Sequence, residues 1–201
     1  MTQPDLQALW LQAIAHFGRD ELREAEALCV QLVQQAPDQP MAYAMLAKIC
    51  HAAGLTRQAT FNAFQASQRA VKASPGEILE IADVLIEVGE LHLAYSLLGF
   101  VVPEHPANSG LLLHLARLYS NLEDQPNALR CIELARANGC DDAHTAHMQG
   151  IVQSFTGPLD TAVAACEESV AKASNYGHAH WSCAQFGRKD GAHERVARMR
   201  A

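Results

Sequence analysis

Apolar residues recur along this chain at spacings of three and four, in stripes separated by short polar, glycine or proline segments. Residues 109–142 show the pattern clearly. Leu112, Leu115, Ala116 and Tyr119 form one stripe; Asn121 to Gln125 interrupts it; Ala128, Leu129, Ile132 and Ala135 form a second. Such spacing places each stripe on one face of an α-helix. Pro126 suits the first turn of the second helix, where its missing N–H has no partner to lose. The segment therefore predicts a pair of amphipathic helices joined by a tight turn.

The same pair recurs. A small-residue column runs Ala13, Ala47, Ala82, Ala116, Gly150, Ala184, and a second runs Ala25, Ala59, Ala94, Ala128, Ala162. A turn column holds Gly54, Gly89 and Gly157, with Asp20 and Glu123 in the two remaining places. A column of larger residues reads Leu9, Tyr43, Ile78, Leu112, Ala146. All share a period of 34 residues, with one residue inserted between the second and third units. The units are about 6–39, 40–74, 75–108, 109–142 and 143–176. Pro37 and Pro106 sit at equivalent ends of second helices and bias the preceding residue out of helix. Gly157-Pro158 marks the turn of the fifth unit and Ser174-Asn175 its end. Small side chains at the crossing let two antiparallel helices approach closely. A single hairpin cannot bury both of its stripes, so stacking is required.

A 34-residue helical hairpin with Ala or Gly early, Gly at the turn, Ala early in the second helix and Pro at its end resembles the tetratricopeptide repeat (TPR). The resemblance covers about residues 6–176. It departs from the pattern at two turns, which hold an acidic residue, and in the second, fourth and fifth units, which lack the terminal proline. The fold it implies is all-α: a right-handed TPR-type solenoid of about five antiparallel helical hairpins plus a C-terminal capping helix at 177–186, whose Trp181 and Phe186 are expected to cover the last hairpin. The solenoid is expected over 1–187, followed by a basic tail at 188–201.

Charge narrows the partners. The net charge is −7; residues 1–186 hold 20 acidic and 10 basic side chains, and residues 187–201 hold five basic and two acidic ones. An acidic body disfavours nucleic acid, whose phosphates need a basic surface. The start, MTQPDLQALW, lacks a basic region followed by an apolar run, and no stretch approaches the ~18 apolar residues of a membrane span. The expectation is a cytoplasmic protein away from membranes. The six cysteines show no C-x-x-C spacing, and reduced, buried thiols are the default.

TPR arrays bind peptides in a groove lined by their first helices, so the resemblance implies a protein or peptide partner on that face. Three columns follow the first helices: Trp10, Ala44, Leu79, Leu113, His147; then Ile14, Lys48, Asp83, Arg117, Ile151; then Phe17, His51, Ile86, Ser120, Ser154. From these the candidate groove residues are Trp10, Ile14, Phe17, Lys48, His51, Leu79, Asp83, Leu113, Arg117, His147 and Ile151. Two readings of Lys48, Asp83 and Arg117 stand side by side: pairing among themselves across repeats, worth roughly 0–1 kcal/mol per pair, or a strip whose charges orient a partner. Ile14, Lys48 and Asp83 do not match the Lys/Asn clamp with which some TPR cochaperones hold a C-terminal carboxylate. Trp10 and Phe17, near the unpartnered N-terminal edge, suit either a homodimer contact through a solenoid end or partial burial by neighbouring residues.

Catalytic chemistry finds no support in the chain. There is no phosphate-cradling Gly-x-x-x-x-Gly-Lys-Ser/Thr and no Gly-x-Ser-x-Gly elbow. His144 and His147 share a helix face, but no third ligand is evident, so neither metal nor cofactor is expected. The expected function is a non-catalytic interaction scaffold. An alternative is the N-terminal scaffold of a larger bacterial enzyme. The segment from Ala179 to Phe186 and the basic stretch after it resemble the junction between repeats and catalytic domain in bacterial TPR–sulfotransferase proteins, although the phosphosulfate-binding loop of that family is absent.

Overall fold

The computed structural model describes residues 5–101 and 108–187. The chain divides into two compact units at 102/103. The first holds three helical hairpins: α1 (Leu6–Gly18) with α2 (Leu22–Gln35), α3 (Pro40–Ala52) with α4 (Thr56–Arg69), and α5 (Pro75–Glu87) with α6 (Leu91–Leu98). A 3-10 turn, Ala70–Lys72, extends α4. The second unit holds α7 (Ser109–Asn121) with α8 (Gln125–Ala137), α9 (Ala143–Thr156) with α10 (Leu159–Lys172), and a closing helix α11 (Gly177–Phe186). No strand occurs among the described residues. The basic tail expected at 188–201 lies outside them.

Five helices start where the sequence supplies a side-chain partner for otherwise orphaned backbone N–H groups. Asp5, Ser74, Asn108, Asp124 and Asp142 accept a hydrogen bond from the first turn of α1, α5, α7, α8 and α9. At α5 the arrangement is reciprocal, since Glu77 also accepts from the Ser74 backbone N–H at 2.8 Å. Pro40 and Pro75 stand at the first positions of α3 and α5, where a missing N–H costs nothing.

The turns inside the hairpins share one construction. At the end of α3, Leu55 N–H donates to Cys50 C=O and Gly54 N–H to His51 C=O. The same pair of bonds ends α1 at Asp20 and Glu21, α5 at Gly89 and Glu90, and α7 at Glu123 and Asp124. This Schellman pattern requires a left-handed residue after the helix. Gly54 and Gly89 meet it at φ +74 and +88, while Asp20 and Glu123 are forced to φ +62. The acidic departures at two turns therefore change the residue and keep the geometry. The fifth hairpin is the one that differs: Gly157 is extended, at φ −149, because Pro158 excludes helical backbone from the residue before it.

Inside each hairpin the small columns meet. Ala13, Ala25, Ala47, Ala59, Ala82, Ala94, Ala116, Ala128 and Ala162 are fully buried, and Gly150 is buried opposite α10. Larger residues fill the space between hairpins; Leu46 and Ile49 of α3 join Ala13, Ala25 and Cys29 in one cluster. Each second helix within a unit also packs on the first helix that follows, α2 on α3, α4 on α5, α8 on α9 and α10 on α11. Polar contacts brace these junctions. Arg69 donates from Nε to Pro37 C=O at 2.7 Å and lies 4.2 Å from the Tyr43 ring centre. In the second unit Arg136 of α8 binds Glu168 of α10 at 3.0 Å, and Lys172 reaches Asp141 and Glu168.

One expectation about the end of the chain needs correction. Trp181 does not cover the last hairpin; it is 63% exposed. α11 instead packs through Ala179, Ser182 and Cys183, because α10 presents small residues, Ala162, Ala165 and Cys166, and close approach selects small partners. Ala184, which continues the crossing column, is exposed, since no further described helix packs on it.

Gly150→Ala tests the close crossing. A methyl there would lie 2.6 Å from Cys166 Sγ and 3.0 Å from the Ala162 carbonyl oxygen. The gain in helix propensity is about 1 kcal/mol, whereas overpacking costs typically 1–3 kcal/mol, and a backbone oxygen cannot rotate away. The expected outcome is a melting temperature lowered by several degrees in thermal denaturation, partly restored by adding Cys166→Ala. A rise in melting temperature would show that α9 and α10 separate freely. Glu123→Gly should act in the opposite direction, raising stability by about 0.5–1 kcal/mol through release of the left-handed penalty, as read from the midpoint of urea unfolding at unchanged slope.

Candidate functional site

Two open cavities lie against first helices, one in each unit. The first, about 830 Å³, is bounded by α1, α3 and α5. Trp10 and Ile14 supply its apolar floor from α1; Met41, Ala44 and Met45 continue it on α3; Lys48 stands at its edge. α5 closes it with Glu77 and Glu80. The unbranched Met41 and Met45 can refill irregular gaps at little cost, and the mixed charge at the rim gives the cavity a polar direction.

The second cavity, about 600 Å³, lies between α7, α9 and the start of α11. Leu113, Met148 and Ile151 form its apolar wall, with Arg117 and His114 from α7 and His144, His147, Tyr176 and His178 opposite. His147 is held in place: its Nε2 lies 2.9 Å from Ser182 Oγ, and the Tyr176 ring meets it edge-on with centroids 5.4 Å apart. The His178 ring is 6.3 Å from His147 and 5.7 Å from Tyr176. Tyr176 Oη lies 3.3 Å from His144 Nδ1. Burial first, and then the neighbouring His144 and His178, push His147 below the ordinary histidine range, so it is neutral at pH 7.

These cavities sort the expected groove residues. Trp10, Ile14 and Lys48 line the first; Leu113, Arg117, His147 and Ile151 line the second. Leu79 is no groove residue, because it is 0% exposed. On α5 the groove-facing positions are Glu77 and Glu80, and Leu79 turns roughly 100° away from Glu80 into the core. Phe17 is partly buried against the cluster of Ala13, Ala25, Cys29, Leu46 and Ile49 and does not line the cavity. Trp10 is half-buried at the cavity floor. His51 is exposed at the end of α3 and Asp83 is half-buried on α5; neither lines either cavity. Arg117 belongs to the second unit and Lys48 and Asp83 to the first.

The expected columns include His147 but not Glu77, Glu80, Tyr176 or the pair His144 and His178. A usable signal existed for the last. His144 and His178 fall at equivalent places one repeat apart, His147 lies one turn from His144, and successive first helices share one face.

Among the described residues, no three of His, Cys, Asp and Glu converge in a way that could hold a metal ion. The cysteines act as packing residues. Burial pushes Cys29 and Cys166 up to about 12 and Cys131 up to about 11, far from the thiolate a nucleophile or ligand requires. Among the described residues no helix is long and apolar enough to cross a membrane.

Solved structures settle the fold. A thermophilic TPR protein from Thermus thermophilus superposes at TM-score 0.58 with 18% identity, over 90% of this chain and 98% of its own. A tetratricopeptide repeat protein from Parabacteroides merdae gives TM-score 0.69 at 16% identity, over 96% and 77% of the two chains. This chain has the TPR fold. A third TPR structure, YrrB, described as having an unusual peptide-binding site, aligns at TM-score 0.61 and 14% identity over 87% of this chain and 90% of that one. No protein-family model and no curated protein sequence matches the chain.

Folding keeps His147 neutral where the unfolded chain would protonate it. Its contribution to stability is therefore complete above the ordinary histidine range, near pH 6.5, and is lost as pH falls below it. Thermal melts at about pH 7.5 and 5.5 should show a drop on acidification that is smaller in His147→Gln. An equal drop in both proteins would exclude His147 as a source of acid sensitivity.

Proposed function

We propose that this protein is a non-catalytic scaffold that holds a segment of a partner protein along its first-helix faces. The observation behind this reading is the cavity of about 830 Å³ on α1, α3 and α5. It combines a tryptophan, two methionines and an isoleucine with a rim of Lys48, Glu77 and Glu80. An apolar floor with a few charges at its edge suits a peptide whose large side chain anchors the contact while its polar groups set direction. The peptide-binding site of YrrB, on a similar fold, supports the same use here.

Peptides selected from a random display library on the full chain should include binders anchored by a large apolar residue. Their affinity should fall at least about tenfold, or about 1.4 kcal/mol, in Trp10→Ala combined with Ile14→Ala, as measured by calorimetry. Phe61→Ala, an exposed position on α4 outside both cavities, should leave affinity unchanged. Equal binding by the Trp10/Ile14 variant and the wild type would remove this cavity as the recognition surface.

A further inference from the structure

We infer that the cavity of the second unit accepts an acidic peptide segment and holds it more tightly as its histidines protonate. This rests on the first-helix face being a binding surface, and adds the chemistry of one occupant and a control by pH.

The geometry is the argument. Three imidazoles approach one space from two elements: His144 and His147 stand one turn apart on α9, and His178 comes from the start of α11, 6.3 Å from His147 between ring centres. α7 adds His114 and Arg117 on the opposite wall. Among the described residues that line the cavity there is no Asp or Glu. The nearest carboxylate on α9 is Asp142 at its N-cap. It accepts from Thr145 N–H at 2.8 Å and Oγ–H at 2.9 Å and couples electrostatically to His144. The Tyr176 ring meets both the His147 and the His178 rings edge-on. His180 is turned away, with Nε2 2.8 Å from Ser174 C=O.

Burial first, and then His144 and His178, favour the neutral form of His147. Leu113, Met148 and Ile151 give the cavity an apolar wall beside the Arg117 guanidinium. A carboxylate entering beside the imidazoles favours their protonated forms. Binding then takes up protons, and by linkage affinity must rise as pH falls. An acidic segment with apolar residues between its carboxylates matches both halves of the lining. The first-unit cavity has the opposite bias: Glu77 and Glu80 stand beside Lys48 and no histidine lines it. The two cavities thus discriminate between segments of different charge.

Two fluorescein-labelled peptides of about ten residues, one alternating Glu and Leu and the other Lys and Leu, test this on the full chain. Anisotropy is read at about pH 7.5 and 5.5 at constant ionic strength; glutamate stays largely ionised over that range. The Glu–Leu peptide should bind at least about tenfold more tightly at the lower pH, and the Lys–Leu peptide should not. In His144→Gln/His178→Gln, both exposed positions, the pH ratio should shrink to about threefold or less. His147→Gln should lower it as well, and His51→Gln/His92→Gln in the first unit should retain it. Imidazole 15N resonances of the wild type should titrate at higher pH when the Glu–Leu peptide is bound. A Glu–Leu affinity equal at both pH values, a ratio that survives His144→Gln/His178→Gln, or one lost equally in the His51/His92 variant would each overturn the inference while leaving groove binding intact. Failure of the Glu–Leu peptide to bind at either pH would also overturn the inference, and would leave the first-unit cavity to its own test.

Discussion

The structure depends on two helix axes coming close enough for alanine to touch the facing backbone. Gly150 shows how tight that approach is: a single methyl would fall inside the contact distance of both Cys166 and the Ala162 carbonyl. Where crossings are this close, the larger side chains beside them have only the space between neighbouring hairpins to fill. Leu46 and Ile49 of α3 enter the cluster around Ala13, Ala25 and Cys29 for this reason. Burial of this apolar surface drives the association, and neither helix of a hairpin could bury its stripe alone.

Close crossing also dictates the turns. Antiparallel helices at this separation leave only two or three residues to reverse the chain, and the last carbonyls of the first helix must be satisfied within that length. The Schellman pair does both, at the cost of one left-handed residue. Glycine accepts that cost at 54 and 89; Asp20 and Glu123 do not escape it. The fifth hairpin reverses by another route, with Gly157 extended, because Pro158 lacks an N–H and restricts the residue before it. The acidic residues thus mark turns of the common geometry, and the last glycine of the column marks the exception.

Once the packing columns are occupied, the outward positions of the first helices are freer to vary. Two surfaces of the same construction can therefore hold different chemistry. One combines methionines, a tryptophan and glutamates; the other combines aliphatic residues with a group of histidines and a tyrosine. The packing columns fix the scaffold, and the outward columns set the charge of its surfaces. Thiols illustrate the contrast: Cys29 and Cys166 lie on packing faces, and burial makes them inert.

The repeat, the helical hairpins and the small crossing columns were legible in the amino-acid sequence by itself, because period and side-chain size are local quantities that every hairpin must satisfy. The prolines at 40, 75 and 126 and the caps Ser74, Asp124 and Asp142 are local in the same sense, since each acts within its own first turn. The fate of individual groove positions was not legible. Leu79 and Glu80 are adjacent in sequence, and only the way α5 packs on α3 and α4 decides that the first is core and the second rim. Phe17 and Trp181 read alike as large apolar residues near an edge. Tertiary packing sets Phe17, partly buried, against a cluster and leaves Trp181 exposed, because α10 offers α11 a surface of small side chains that an indole does not fit. The histidine group lies between these cases: the one-repeat spacing puts His144 and His178 at equivalent places, but His147 and His178 meet only when α11 stacks on α9.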